Sequence, residues 1–274
     1  MTDPPAGAAT FERLLASEQL PAWLPQLLRT LYDGQDPDTA AGWARQIADS
    51  VRSLHPTRGD GRLPFEVVHD WHARAVVPLM LQACEAAGCE PAPAAAELRR
   101  MHTRAAAGER FGEADWRAAI EPALRELYRH AYGYADAYAT ARASASAYAS
   151  ANNFSPDGAI EFADSYAKLS TDSNRQSYAE SNAIANAAVL AAAYVSSDVR
   201  AYAETYPFAL AHACAHAYAN RAHRLEPGGT DSGSAEQSAS QAERRQAGYA
   251  RLAAGLADSL ADDAAARATI ARPD

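Results

Sequence analysis

Two histidines stand four residues apart in His212-Ala-Cys214-Ala-His216, with His223 further on. On a helix, side chains at i and i+4 share a face and can hold one transition metal between two imidazoles. Cys214 would point about 200° away on the same helix, so these three cannot chelate together. A further ligand such as His130 would have to come from elsewhere in the fold. The plainer reading is a histidine pair hydrogen-bonded among alanines, and that reading calls for no metal and no cofactor.

A second pair, His69 and His72, flanks Asp70-Trp71. His72 falls on the apolar stripe Val68, His72, Ala75, Leu79, which predicts burial. A buried neutral imidazole could serve as a general base if a cleft opened there. The simpler role is a core histidine bonded to a neighbouring carbonyl. Cys84 and Cys89 match neither a CxxC redox motif nor a zinc knuckle, and read as small core residues. Ser144, Ser146 and Ser150 lack the GxSxG setting of a serine nucleophile. Arg99, Arg100, Arg104 and Arg110 are interleaved with Glu97, Glu109 and Glu113, the pattern of a solvated face. No phosphate-cradling glycine loop or dinucleotide fingerprint is present.

The tyrosines offer different chemistry. Trp116, Ile120, Leu124, Leu127, Ala131, Tyr134, Tyr138, Ala141, Ala145 and Tyr148 recur at steps of three and four. That spacing predicts one continuous buried face on one long helix. A buried phenol needs a partner for its hydroxyl. Among alanines, such rings either fill core volume or line a cavity that alanine leaves open. A cavity lined by Tyr134, Tyr138, Tyr148, His130, His212 and His216 would suit an apolar small molecule carrying oxygen groups.

The elements that must position these groups are set by composition. The chain of 274 residues carries 69 alanines, 13 tyrosines and 4 tryptophans, with a formal charge of −9. Leu, Ile, Val and Phe are scarce enough to suggest disorder, but the aromatic content argues for a folded core. The acidic balance, without a basic run, disfavours nucleic acid. The longest uncharged apolar run, Ala183–Val195, is too short for a bilayer. The N-terminus MTDPPAGAAT lacks a signal-peptide pattern. Three cysteines imply no disulfide framework, and together these features point to the cytoplasm. Lys168 is the only lysine, which with the alanine excess suggests a GC-rich genome of the actinobacterial kind.

No segment alternates like a strand, and the expected fold class is all-α, a multi-helix bundle-like domain rich in alanine. Alanine occupies every odd position from Ala135 to Ala151. A strand of that length would be far outside the usual ~3–10 residues, and alanine favours helix. Residues 1–9 are expected to be loose and 10–225 to form the main domain. Helices are expected over Leu20–Tyr32, Thr39–Leu54, Pro64–Gly88 and Ala92–Ala107. Two more are expected over Ser155–Ala167 and Asn174–Tyr194. Asp70-Trp71 with Pro78 and Asp115-Trp116 with Pro122 suggest a duplicated helical unit around 64–88 and 111–130. Residues 226–240 read as a flexible linker to an amphipathic C-terminal helix at 241–270, which should dock back or pair with another chain. Removal of 226–274 is expected to leave a folded domain.

The run AYADAYATARASASAYASA, the segment YAETYPFALAHA and the upstream ADWRAAIEPALRELYRHAYG resemble a group of actinobacterial Ala/Tyr-rich proteins, some labelled SpcZ. The resemblance covers roughly residues 110–220. It implies a bacterial setting near specialised-metabolite genes and carries over no catalytic residues. Three functions fit the sequence. The first is a small-molecule-handling protein with a Tyr/His-lined cavity. The second is a helical scaffold forming homo-oligomers, and the third a metal-dependent enzyme at His212 and His216.

Overall fold

Alanine's helix preference carries through the whole molecule. The computed structural model describes residues 6–16, 20–54, 63–86, 93–220 and 235–270, and among these there is helix and no strand. The helices are α1 (Ala6–Leu15), α2 (Leu24–Gly34), α3 (Pro37–Leu54), α4 (Glu66–Trp71), α5 (Val77–Ala86) and α6 (Pro93–Ala106). They continue as α7 (Glu113–Ala131), α8 (Tyr134–Ala151), α9 (Pro156–Ser196), α10 (Val199–Ala203), α11 (Pro207–Asn220) and α12 (Ala235–Ile270). Among the described residues, no helix is long and apolar enough to cross a membrane. Residues 6–9, expected to be loose, form the first turn of α1.

A π-helical turn, His72–Val76, joins α4 to α5. There the Val77 amide donates to the His72 carbonyl, five residues back. Pro78 follows immediately, has no N–H to give and would crowd a regular helix. The wider turn ahead of it keeps the chain helical through Ala86. The segment around Pro122 instead remains α-helical within α7. Trp71 and Trp116 are both fully buried, but the two Asp-Trp segments therefore differ in local structure.

The single helix expected across Trp116–Ala151 is two helices. Tyr132 and Gly133 are extended, with ψ of 92° and 149°, and α8 starts afresh at Tyr134. The carbonyls exposed by the break find donors in other helices. Arg175 of α9 reaches the carbonyls of Arg129 and Tyr132, at 2.7 and 2.9 Å. Asn220 of α11 reaches those of His130 and Ala131. Conversely, the two helices expected over 155–194 are one, α9, 41 residues long. No glycine or proline interrupts Ala167–Asn174, and buried Thr171 returns its hydroxyl to the Ala167 carbonyl.

α9 sets the layout. Its C-terminal half lies antiparallel to α7, with Asn186 bonded to the Tyr128 hydroxyl and Tyr194 against Trp116. Its N-terminal half pairs with α8 along an alanine seam, flanked by the Arg142–Asp164 ion pair and by Tyr148 against Phe162. Ala137, Ala141, Ala145 and Ala149 face Ala159, Ala163 and Ala167, all buried. Every fourth residue being alanine lets the two backbones approach closely. The same device seats α9 on the core at Ala183, Ala187 and Ala191. Ala187→Leu should therefore overpack that seam, costing about 1–3 kcal/mol and lowering Tm by roughly 3–10 °C. Thermal melts checked against Ala139→Leu, on the exposed side of α8, measure it.

The boundary expected at 226–240 does not divide two units. Residues 235–240 already belong to α12; 226–234 lie outside the described residues. α12 packs on α2, α3, α4, the π turn and α11, and Leu252, Leu256 and Leu260 are wholly buried. The C-terminal helix docks in cis as part of the main core.

Candidate functional site

Of the residues expected to line one cavity, Tyr148 sits near the end of α8 and His212 against α12. Tyr148 is 58% exposed, its ring 5.9 Å from that of Phe162. Tyr138 is half-buried on α8 and hydrogen-bonds Asp164 of α9. The side chain of Tyr134 lies outside the described residues. His130 is half-buried in the last turn of α7, where burial lowers its pKa. His212 is exposed on α11, its Nδ1 hydrogen-bonded to the Tyr249 hydroxyl of α12 and its ring 4.2 Å from that of His216. The break at Tyr132–Gly133 explains the difference. Beyond it the stripe counted from Trp116 is kept only in part: Ala141 and Ala145 face α9, whereas Tyr138 is half-buried and Tyr148 points outward. Among the described residues, no group of three or more His, Cys, Asp or Glu could hold a metal ion. His223 and Cys89 lie outside the described residues. Cys84 and Cys214 are buried, and burial raises the Cys214 thiol well above its usual range.

A denser cluster of the same residue types lies elsewhere. His69 comes from α4, His72 from the π turn, His102 from α6, Trp116 from α7, Tyr194 from α9 and Tyr202 from α10. All six are buried. His69 Nδ1 lies 3.0 Å from His102 Nδ1, so one ring donates and the other accepts. His72 Nε2 meets the Tyr202 hydroxyl at 2.9 Å, and the Tyr194 hydroxyl lies 3.4 Å from the same nitrogen. The His72 and His102 rings stack at 4.6 Å, and the His69 ring lies nearly parallel to Trp116 at 5.5 Å. His102 Nε2 is buried without a hydrogen-bond partner.

Burial fixes the protonation of this cluster. It lowers His69 to about 4 and His72 to about 3, with His69 adding repulsion to the latter. His102 falls well below its ordinary value, through burial first and then its two histidine neighbours. The phenols of Tyr194 and Tyr202 are raised by the same desolvation. At neutral pH the cluster is a set of uncharged donors and acceptors.

One side of it opens to the surface. A shallow cleft with an enclosed volume of about 40 Å³ has His69, Trp116, Tyr194 and Phe65 among its lining residues. Its rim includes Glu66, Arg110, Val195 and Ser197. One wall is the turn after α6, where Gly108 has φ +92°, a conformation side-chain-bearing residues rarely adopt. Ser197, ending α9 in the left-handed region, turns the chain from Tyr194 toward Tyr202. His72, the imidazole considered from sequence as a base if a cleft opened beside it, does not line this cleft; its neighbour His69 does.

His102, Tyr194 and Tyr202 were not legible as site residues. His102 carries a signal nonetheless, since Ala95, Leu98, His102 and Ala105 form one buried stripe of α6 at steps of three and four. Comparisons with protein-family models, curated proteins and solved structures match nothing to this chain.

Proposed function

We propose that the chain is a small-molecule-handling protein of bacterial, specialised metabolism, acting in the cytoplasm. It binds an uncharged, flat, oxygen-bearing molecule in the cleft over His69, Trp116 and Tyr194. The observation that carries this reading is an uncharged His/Tyr cluster lying directly beneath an aromatic opening. Aromatic walls favour a planar ligand, and neutral imidazole and phenol groups favour hydroxyl or carbonyl partners. A charged ligand would meet Glu66, Arg110 and a Glu109 already paired with Arg104, which leaves no surplus of either sign. Proton abstraction is a poor use of the site, because a base held near 4 is weak at neutral pH. Binding or shaping the ligand suits it better.

Tryptophan fluorescence tests this reading, with 2-naphthol and 1,4-naphthoquinone as flat uncharged probes. A saturable quench is expected in the whole chain and should largely vanish in Trp116→Phe. Val195→Trp, at a rim position 42% exposed, should block the mouth without changing the melting temperature. Absence of a saturable quench in the native chain would overturn the reading, as would a quench unaffected by Val195→Trp.

A further inference from the structure

The hairpin of α8 and the first half of α9 is an arm with two unlike sides. α8 packs extensively on α9 and on no other described helix. On one side, Arg142 of α8 pairs with Asp164 of α9, and Glu161 and Lys168 share that flank at helical spacing. Among the residues whose side chains are described, the other side carries no charge. There Thr140, Ser144 and Tyr148 follow at steps of four on α8, and Phe162, Tyr166 and Leu169 follow on α9.

That side is strongly apolar at its tip. Phe162 contacts Tyr148, Phe154 and Tyr166, with ring centroids at 5.9, 5.3 and 6.1 Å. Tyr148, Phe154 and Tyr166 are 58%, 43% and 46% exposed, and Leu169 is 85% exposed. At ~200 Å² per large side chain, the patch offers on the order of 500 Å² of apolar surface to water. A lone chain seldom leaves so much contiguous surface uncovered without a use.

We propose that this face is where two copies of the chain pair, arm against arm. A two-fold pairing needs a surface complementary to itself, and the aromatic part of this face, where no described residue is charged, meets its own copy without like-charge repulsion. The area agrees. A standard interface buries ~800 Å² per partner, roughly two-thirds apolar at its core in homodimers, which this patch supplies. The pairing also turns an alanine-seamed two-helix arm into a four-helix layer with an aromatic centre. A lipid surface fits less well. The arm's described charges, Arg142, Lys168 and Arg175 against Asp157, Glu161, Asp164 and Asp172, leave it acidic, where membrane-bound helices are basic.

Sedimentation of the full chain from ~1 to ~100 µM tests the pairing. The expected mass is twice the 29.1 kDa of one chain at the upper end, with dissociation on dilution. Leu169→Arg combined with Tyr166→Arg should weaken pairing at least ~100-fold with an unchanged circular dichroism spectrum. Lys168→Glu, on the charged side, should leave it intact. A native chain monomeric throughout would overturn the proposal, as would a dimer indifferent to the double substitution. So would a monomer that sediments with phosphatidylcholine vesicles and loses that property on Leu169→Arg, which would assign the face to lipid.

Discussion

Deletion of residues 235–274 is expected to leave a chain without a cooperative thermal transition. Leu252, Leu256 and Leu260 lie on one stripe of α12 and are wholly buried, with Ala253 and Ala257 between them. Two indoles depend on the same helix. Trp43 Nε1 donates to the Ala253 carbonyl at 2.8 Å, and Trp71 Nε1 to that of Leu252 at 3.0 Å. Each leucine lost from a packed core costs about 2–5 kcal/mol, so three alone approach the whole stability of ~5–15 kcal/mol. A single substitution probes the same interface more finely. A Cβ placed on Gly255 would lie 2.4 Å from the Ala75 Cβ, with no flexible side-chain end to give way. In an open helix, Gly→Ala stabilises by roughly 1 kcal/mol. Here Gly255→Ala should instead cost about 3 kcal/mol and lower Tm by roughly 6–12 °C. A cooperative melt for the 1–234 fragment, or a Gly255→Ala variant more stable than the parent, would show that α12 is an appendage.

The helical class was legible because alanine, leucine and glutamate push every segment the same way and no alternating strand pattern competes. What the sequence concealed was phase and company. Gly133 is the residue that separates α7 from α8, yet a lone glycine inside an unbroken periodic pattern is weak punctuation. The groups that make the break tolerable, Arg175 and Asn220, come from distant positions. α12 misled in the opposite sense. A Gly/Ser-rich stretch before it reads as a tether, but its buried leucine stripe is as continuous as any in the core. The histidine cluster was only half visible. His69 and His72 stand out by their spacing, whereas His102, Tyr194 and Tyr202 join them only through tertiary contact. Alternating alanines drew attention to Tyr148 and His212 instead. Period-two alanine marks where helices approach closely, and close approach leaves little room for a cavity.

The stability of the chain should fall steeply as pH drops from about 6.5 toward 5, before most carboxylates begin to titrate. The sign follows from the depressed histidines. Unfolded, each takes up a proton near its ordinary value of ~6.5. Folded, His69 waits until about 4, His72 until about 3, and His102 lies well below its ordinary value. Between those limits the unfolded chain binds up to three more protons than the folded one. Stability is thus complete above ~6.5 and is lost on acidification through the window, at up to ~4 kcal/mol per pH unit. His130 and His212, lowered mainly by partial burial, act in the same direction and less strongly. The lowered carboxylates Glu12 and Asp164 are exposed and matter only at lower pH. Urea titrations at pH 7, 6 and 5 should therefore show a large loss in the native chain. His102→Leu removes one titrating ring together with its unpartnered Nε2, and should shrink the pH slope by about a third. Stability flat between pH 6.5 and 5, or a slope unchanged by that substitution, would mean the imidazoles are solvated in the folded chain. The cleft would then lack its uncharged floor, because a cluster open enough to protonate near 6.5 could not stay neutral beneath a bound ligand.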